Sequence, residues 1–246
     1  MPPASRPARP WWVLCALAGL ATIGFVVWFT RTVPVIACSG PLPPGVTSLQ
    51  AYQLARTPAD IELVFGRDGD ACRPGMIAAL DRADTVDLFG FIPTYGLFLA
   101  AFLLAAARDG AGQVARLGLL FLVVGLGFDV IETTTQLHIT QALPGTGISL
   151  MALTIASRGK FAALGVVSLC AGLAMFARGG LLRRIAGVGC IVGVALTAAG
   201  LTGGSRAALL TRGGALAWTL MFVYAVVEAL RPSGGPTGGV RLPRGR

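Results

Sequence analysis

Apolar and polar positions fall into long blocks along this chain instead of alternating within short elements. Trp11 to Thr30 is an uncharged apolar run with Trp11 and Trp12 at one end and Trp28 at the other. Comparable runs follow over 88–107, 117–137, 161–177, 185–201 and 214–230. About 20 residues rising 1.5 Å each cross a hydrocarbon core of roughly 30 Å as a helix. Backbone groups deprived of water must bond within their own segment, which favours helices over open sheets. The pattern predicts an all-α, polytopic transmembrane helix bundle of about six spans. Residues 1–10 read as a leader and 231–246 as a Pro/Gly/Arg-rich disordered tail.

The first run reads as an uncleaved anchor. It exceeds the roughly 7–15 apolar residues of a signal peptide and lacks an Ala-x-Ala cleavage site. A lipobox at Val35-Ile-Ala-Cys38 is a rival reading, set against it by Arg31 and Pro34, which interrupt the apolar run.

Residues 31–86 are the one sizeable polar stretch and read as a loop containing short helices. Pro41-Leu-Pro-Pro-Gly45 is a stiff turn or extended piece. Leu49, Tyr52, Leu54 and Ala55 suggest a helix capped by Thr47 or Ser48. A second begins at Thr57-Pro-Ala-Asp60, runs through Ile61 and Phe65, and stops at Gly66. A third starts near Pro74. The loop is too short for a large core of its own, so its apolar faces are expected on the bundle or on the membrane surface.

Composition agrees with a membrane class: 54% of the 246 residues are hydrophobic and 13% charged, against roughly 25% charged in a soluble domain. The net charge of +9 does not imply nucleic acid, because the arginines are scattered through short loops and the tail. They read instead as orientation signals and contacts for membrane lipids. A membrane-protein partner or a homo-oligomer stays open. The excess of Arg over Lys, with many Ala and Gly, fits a GC-rich bacterial origin.

With the amino terminus inside, eleven arginines and one acid, Asp109, lie on the inner side, against nine basic and seven acidic residues outside. The positive-inside rule therefore expects both termini in the cytoplasm of a cell-membrane protein. Cys38 and Cys72 then share the outer loop, where an oxidising compartment favours a disulfide over two free thiols. Cys15, Cys170 and Cys190 fall within spans and read as small apolar packing residues.

The candidate chemistry centres on Asp129 and Glu132 inside the third run. Their spacing puts them on one helix face, and Gln136 extends it; His138 falls off it. Carboxylates at membrane depth mark a site by default. Tyr95, eight residues into the second span from Asp87, is expected at the depth of Asp129. Asp81, Asp84 and Asp87 are placed at the outer rim, and Arg158 and Lys160 at the outer start of the fourth span. Three readings compete: interhelical pairing, a proton or ion relay, and an intramembrane enzyme acting on lipid, with catalysis the less favoured. One histidine excludes a His-rich zinc site. A carboxylate site of Asp87, Asp129 and Glu132 is nonspecific, and a Ser205–His138 dyad lacks a nucleophile elbow. No cofactor or metal motif appears. Glu228 and Arg231 form an i,i+3 pair, and Gly189-x-x-x-Gly193 marks a close helix contact.

Leu49-Gln-Ala-Tyr-Gln-Leu-Ala-Arg-Thr57, Asp87-Leu-Phe-Gly-Phe-Ile-Pro-Thr-Tyr95 and Phe128-Asp-Val-Ile-Glu132 resemble a loose group of uncharacterised bacterial multi-span membrane proteins. Those have an Asp…Phe…Tyr second span and an Asp-x-x-Glu-Asn third span; here Thr133 stands at the Asn. The resemblance covers about residues 49–135. It implies that Asp87, Tyr95, Asp129 and Glu132 form one group, and it implies no activity.

Overall fold

The computed structural model describes residues 8–176 and 180–231. The expected leader up to Pro7 and the expected tail from Pro232 lie outside them. Among the described residues there are nine α-helices and no strand: α1 Arg9–Thr32, α2 Ser48–Gln53, α3 Pro58–Phe65, α4 Arg73–Val86, α5 Ile92–Ala106, α6 Gly112–Gln141, α7 Gly147–Phe176, α8 Leu181–Gly200 and α9 Ala208–Leu230. Five helical stretches are long and apolar enough to cross a membrane. One of them, Arg73–Gln141, joins α4, α5 and α6 and is turned back at Gly110, where φ is 101°. A residue with a Cβ would be strained there.

The six long helices close a ring. α1 packs on α5, α5 on α6, α6 on α7, α7 on α8, α8 on α9, and α9 returns to α1. Trp12 meets Phe102 and Tyr224 edge to face near the amino end of α1. Leu17, Leu20, Val123, Val188, Ile191 and Val223 face outward and are exposed, as lipid-facing positions require. α8 and α9 approach to backbone contact: a Cβ on Gly193 would lie 2.6 Å from the carbonyl oxygen of Gly213. The small face of Gly189-x-x-x-Gly193 is this seam.

Pro93 sits in the middle of the α4–α5 helix. It has no N–H to donate, and its ring displaces the carbonyl one turn back. The chain accommodates it with a π-helical turn over Asp87–Phe91, closed by the Ile92 N–H on the Asp87 carbonyl. The helix continues without a loop.

Residues 33–86 form a cap on one end of the ring. Thr47 caps α2 in a reciprocal box with Gln50, and Thr57 caps α3 with Asp60. Gly66, at φ 79°, ends α3. The sulfurs of Cys38 and Cys72 are bonded, with Cα atoms 5.8 Å apart. Tyr52, Ile61, Val64, Phe65, Met76 and Leu80 bury against Ile139 of α6 and Leu150 and Leu153 of α7. The cap therefore packs on the bundle, through the ends of α6 and α7 that rise into it. α4 has four charges in its sequence, Arg73, Asp81, Arg82 and Asp84, and belongs to the cap.

α6 and α7 run furthest beyond the apolar runs that signalled them. The run 117–137 lies in a helix from Gly112 to Gln141, and the run 161–177, as far as Phe176, in a helix from Gly147 to Phe176; position 177 lies outside the described residues. The placement of Lys160 at the start of a helix is thereby corrected: it lies near the middle of α7. An isolated lysine ends a lipid-facing run, but this one is buried against carboxylates and need not end anything.

Candidate functional site: a buried carboxylate–lysine cluster

α6 supplies one face of the cluster. Asp129, Glu132 and Gln136 are buried together on it, at 3%, 0% and 1% exposure, as their helical spacing requires. His138 leaves that face and is exposed. α5 brings Tyr95, whose hydroxyl donates to Asp129 Oδ2 at 2.5 Å. The Tyr95 ring is held between Phe91 and Trp218, with centroids 5.2 and 5.1 Å away.

α7 brings the cation. Lys160 Nζ donates to Asp129 Oδ1 at 2.9 Å and pairs with Glu132 Oε2. It also lies 4.9 Å from the centre of the Phe161 ring. Asp87, at the start of the π turn, accepts from Thr133 Oγ1 at 3.0 Å. From the cap, the Tyr52 hydroxyl donates to the Gln136 carbonyl oxygen at 2.6 Å. Asp84 of α4 is 1% exposed and its Oδ2 has no donor. Burial foremost, then the charges of Asp87, Glu132 and Asp81, hold its carboxyl well above the usual carboxylate range, with Lys160 opposing them.

The chemistry follows from the count of charges. An ammonium in low dielectric is stable only beside negative charge, and Asp129 and Glu132 supply it. Among the described residues no second cation pairs with Asp84, Asp87, Asp129 or Glu132. Four carboxylates around one ammonium leave an excess of negative charge that is costly to hold out of water. Among the described residues no three His, Cys, Asp or Glu side chains converge as metal ligands.

Asp87, Tyr95, Asp129, Glu132 and Gln136 thus fall in one place, with Tyr95 level with Asp129. Sequence reasoning missed Lys160 as the centre and left Asp84 at the rim. A signal existed for the lysine: it is the only one in the chain, and residues 147–157 before it are uncharged. Ser205 and His138 are both exposed and share no hydrogen bond. Near the carboxy end of α9 Glu228 accepts from Arg231 at 2.7 Å and, beyond the expected pair, from Arg183 of α8 at 3.2 Å. Scans against protein-family models, curated proteins and solved structures find no match to this chain.

Proposed function

We propose that this chain is a multi-pass component of the bacterial inner membrane, with both termini cytoplasmic and its cap outside, that works by interaction or signalling and not by catalysis. The observation that carries this reading is the sharing of one buried ionic cluster between cap and bundle: Asp84 and Tyr52 come from the cap, Lys160, Asp129 and Tyr95 from the membrane helices. A cap so fastened is placed to convey contact with a partner outside to the helices within. A second copy of the chain or another membrane protein are the partners the reading allows, beside membrane lipids. The arginine distribution supports the orientation. Reporter fusions at both ends are expected to be active only as cytoplasmic markers; an extracytoplasmic carboxy terminus would sink the reading.

A second reading, proton- or ion-coupled transport, is favoured by the protonatable carboxylates in the outer half of the bundle. The double substitution Asp129→Asn, Glu132→Gln separates the two. The interaction reading expects a loss of about 3 kcal/mol, because Lys160 loses both counter-charges, and no gradient-driven uptake by wild-type protein in vesicles. Uptake by the wild type that vanishes in a variant of unchanged melting would establish transport instead.

A further inference from the structure

Four polar atoms beside the ion pair are buried without a hydrogen-bond partner: Asp84 Oδ2, Glu132 Oε1, Gln136 Nε2 and Ser157 Oγ. The four residues are at most 1% exposed. They converge. Gln136 is one turn beyond Glu132 on α6, and Ser157 is one turn before Lys160 on α7. Lys160 binds Glu132, and Asp84 reaches the same place from α4, within range of the charges of Glu132 and Lys160. Two of the four, Gln136 and Ser157, are not acids. Their unmet groups are polar but carry no charge, whereas Asp84 Oδ2 and Glu132 Oε1 are carboxylate oxygens left without a donor, which is costly in a buried place.

The ligand has to be cationic. Around Asp84 stand Glu132 and Asp129 from α6, Asp87 from the π turn, Asp81 from α4 itself, Tyr95 from α5, Tyr52 from α2 and the single ammonium of Lys160 from α7. Arg158, nearby on α7, is only half-buried and makes no ion pair with them. Asp129 has Tyr95 and Lys160, Asp87 has Thr133, and Glu132 has Lys160. Asp84 Oδ2 and, one turn earlier on α4, Asp81 Oδ1 have neither cation nor donor, and of the two residues Asp84 is the one fully buried. A hard metal cation takes about six or more oxygens, whereas this spot offers three unmet ones beside an ammonium. A proton needs one.

We propose that Asp84, Glu132, Gln136 and Ser157 frame a proton-binding site open to the outer side, in which a proton on Asp84 keeps the cap seated on the bundle. A hydronium in the outer water transfers its proton to an Asp84 oxygen, one O–H bond forms, and the water stays outside. Half-buried Asp81, one turn earlier on α4, marks the way in. The neutral acid then supplies a donor in a cluster of unmet acceptors. The folded-state affinity for this proton lies above that of an unfolded aspartate, so the stabilisation is full at low pH and is lost as pH rises through the folded value. Alkaline conditions outside unseat the cap. The inference deepens the proposed function and rests on it only for the identity of the outer side.

The test uses the full-length chain in lipid nanodiscs. Infrared spectra of the wild type at neutral pH are expected to show a protonated-carboxyl band that fades on raising the pH, and Asp84→Asn is expected to lack it. Tryptic cleavage at exposed Arg56, normalised to an unfolded peptide, is expected to quicken about tenfold for each pH unit above the midpoint in the wild type. It should stay flat in Asp84→Asn, where an amide imitates the neutral acid. The absence of the band in the wild type at neutral pH overturns the proposal without any variant, and so decides the matter if Asp84→Asn does not fold. A band that titrates with no change in cap cleavage overturns the link to the cap. Sodium that replaces low pH in protecting Arg56 overturns the proton as ligand. Reporter fusions that place the cap inside would sink the functional reading while leaving the infrared result untouched.

Discussion

Lys160→Met is expected to lower stability by about 3–5 kcal/mol, the cost of removing one partner of a buried ion pair. Methionine keeps much of the lysine's length and apolar stem but leaves Asp129 Oδ1 and Glu132 Oε2 without their cation. Tyr95 still donates to Asp129; Glu132 keeps nothing. Typical domains have only about 5–15 kcal/mol in total, so the bundle should melt far earlier. The triple variant Lys160→Met, Asp129→Asn, Glu132→Gln should recover most of the loss, because replacing a whole buried ion pair by neutral groups is often neutral or stabilising. Circular dichroism melts in detergent measure both. Equal melting of the wild type and Lys160→Met would show that the ion pair holds nothing together. Recovery in the triple variant would separate charge imbalance from lost packing.

Breaking Cys38–Cys72, by reductant or by Cys38→Ser with Cys72→Ser, is expected to cost about 3–4 kcal/mol on the loop-entropy account, for a sequence separation of 34. The bond joins two pieces of cap, the segment after α1 and the start of α4. Cys38 N–H and Ser39 N–H donate to the carbonyls of Val64 and Leu63 at the end of α3, at 3.0 and 3.1 Å. Cys72 stands at the start of α4. Without the bond, the amino end of α4 is released while its carboxy end stays fused to α5, so Asp84 loses its fixed position. The check is melting with and without reductant, together with alkylation of unreduced protein. Thiols that alkylate freely before reduction would show the bond absent.

The parts legible in the sequence were those decided within a few residues or by helical phase. Thr47 and Thr57 each bond a backbone N–H three positions on, so the starts of α2 and α3 could be read locally. The alignment of Tyr95 with Asp129 followed from counting rise along two neighbouring antiparallel helices. Lys160 was illegible for the opposite reason. Next to Arg158 it looks like an interface cation, and what lets it lie mid-helix is a pair of carboxylates on another helix, thirty-odd residues earlier in the chain. Asp84 is similar: α4 has apolar and charged residues interleaved, and only the packing of the cap decides which of its acids turns inward. Pro93 lies within the second span, but proline breaks, kinks or widens helices, and the choice of a π turn depended on the continuation of α4 into α5.

That continuation has a mechanical consequence. From Arg73 to Arg108 the chain is one helical strut, on the order of 54 Å long. Its first turn is tied beside Cys72, its waist passes Lys160 through Asp84 and Asp87, and its far end sets Arg108 over the Trp11 ring at 4.7 Å. No loop interrupts it to absorb motion. A tilt of α4 would swing Arg108 the opposite way, as the two arms of a lever move about a fulcrum, and the fulcrum would be the charged cluster.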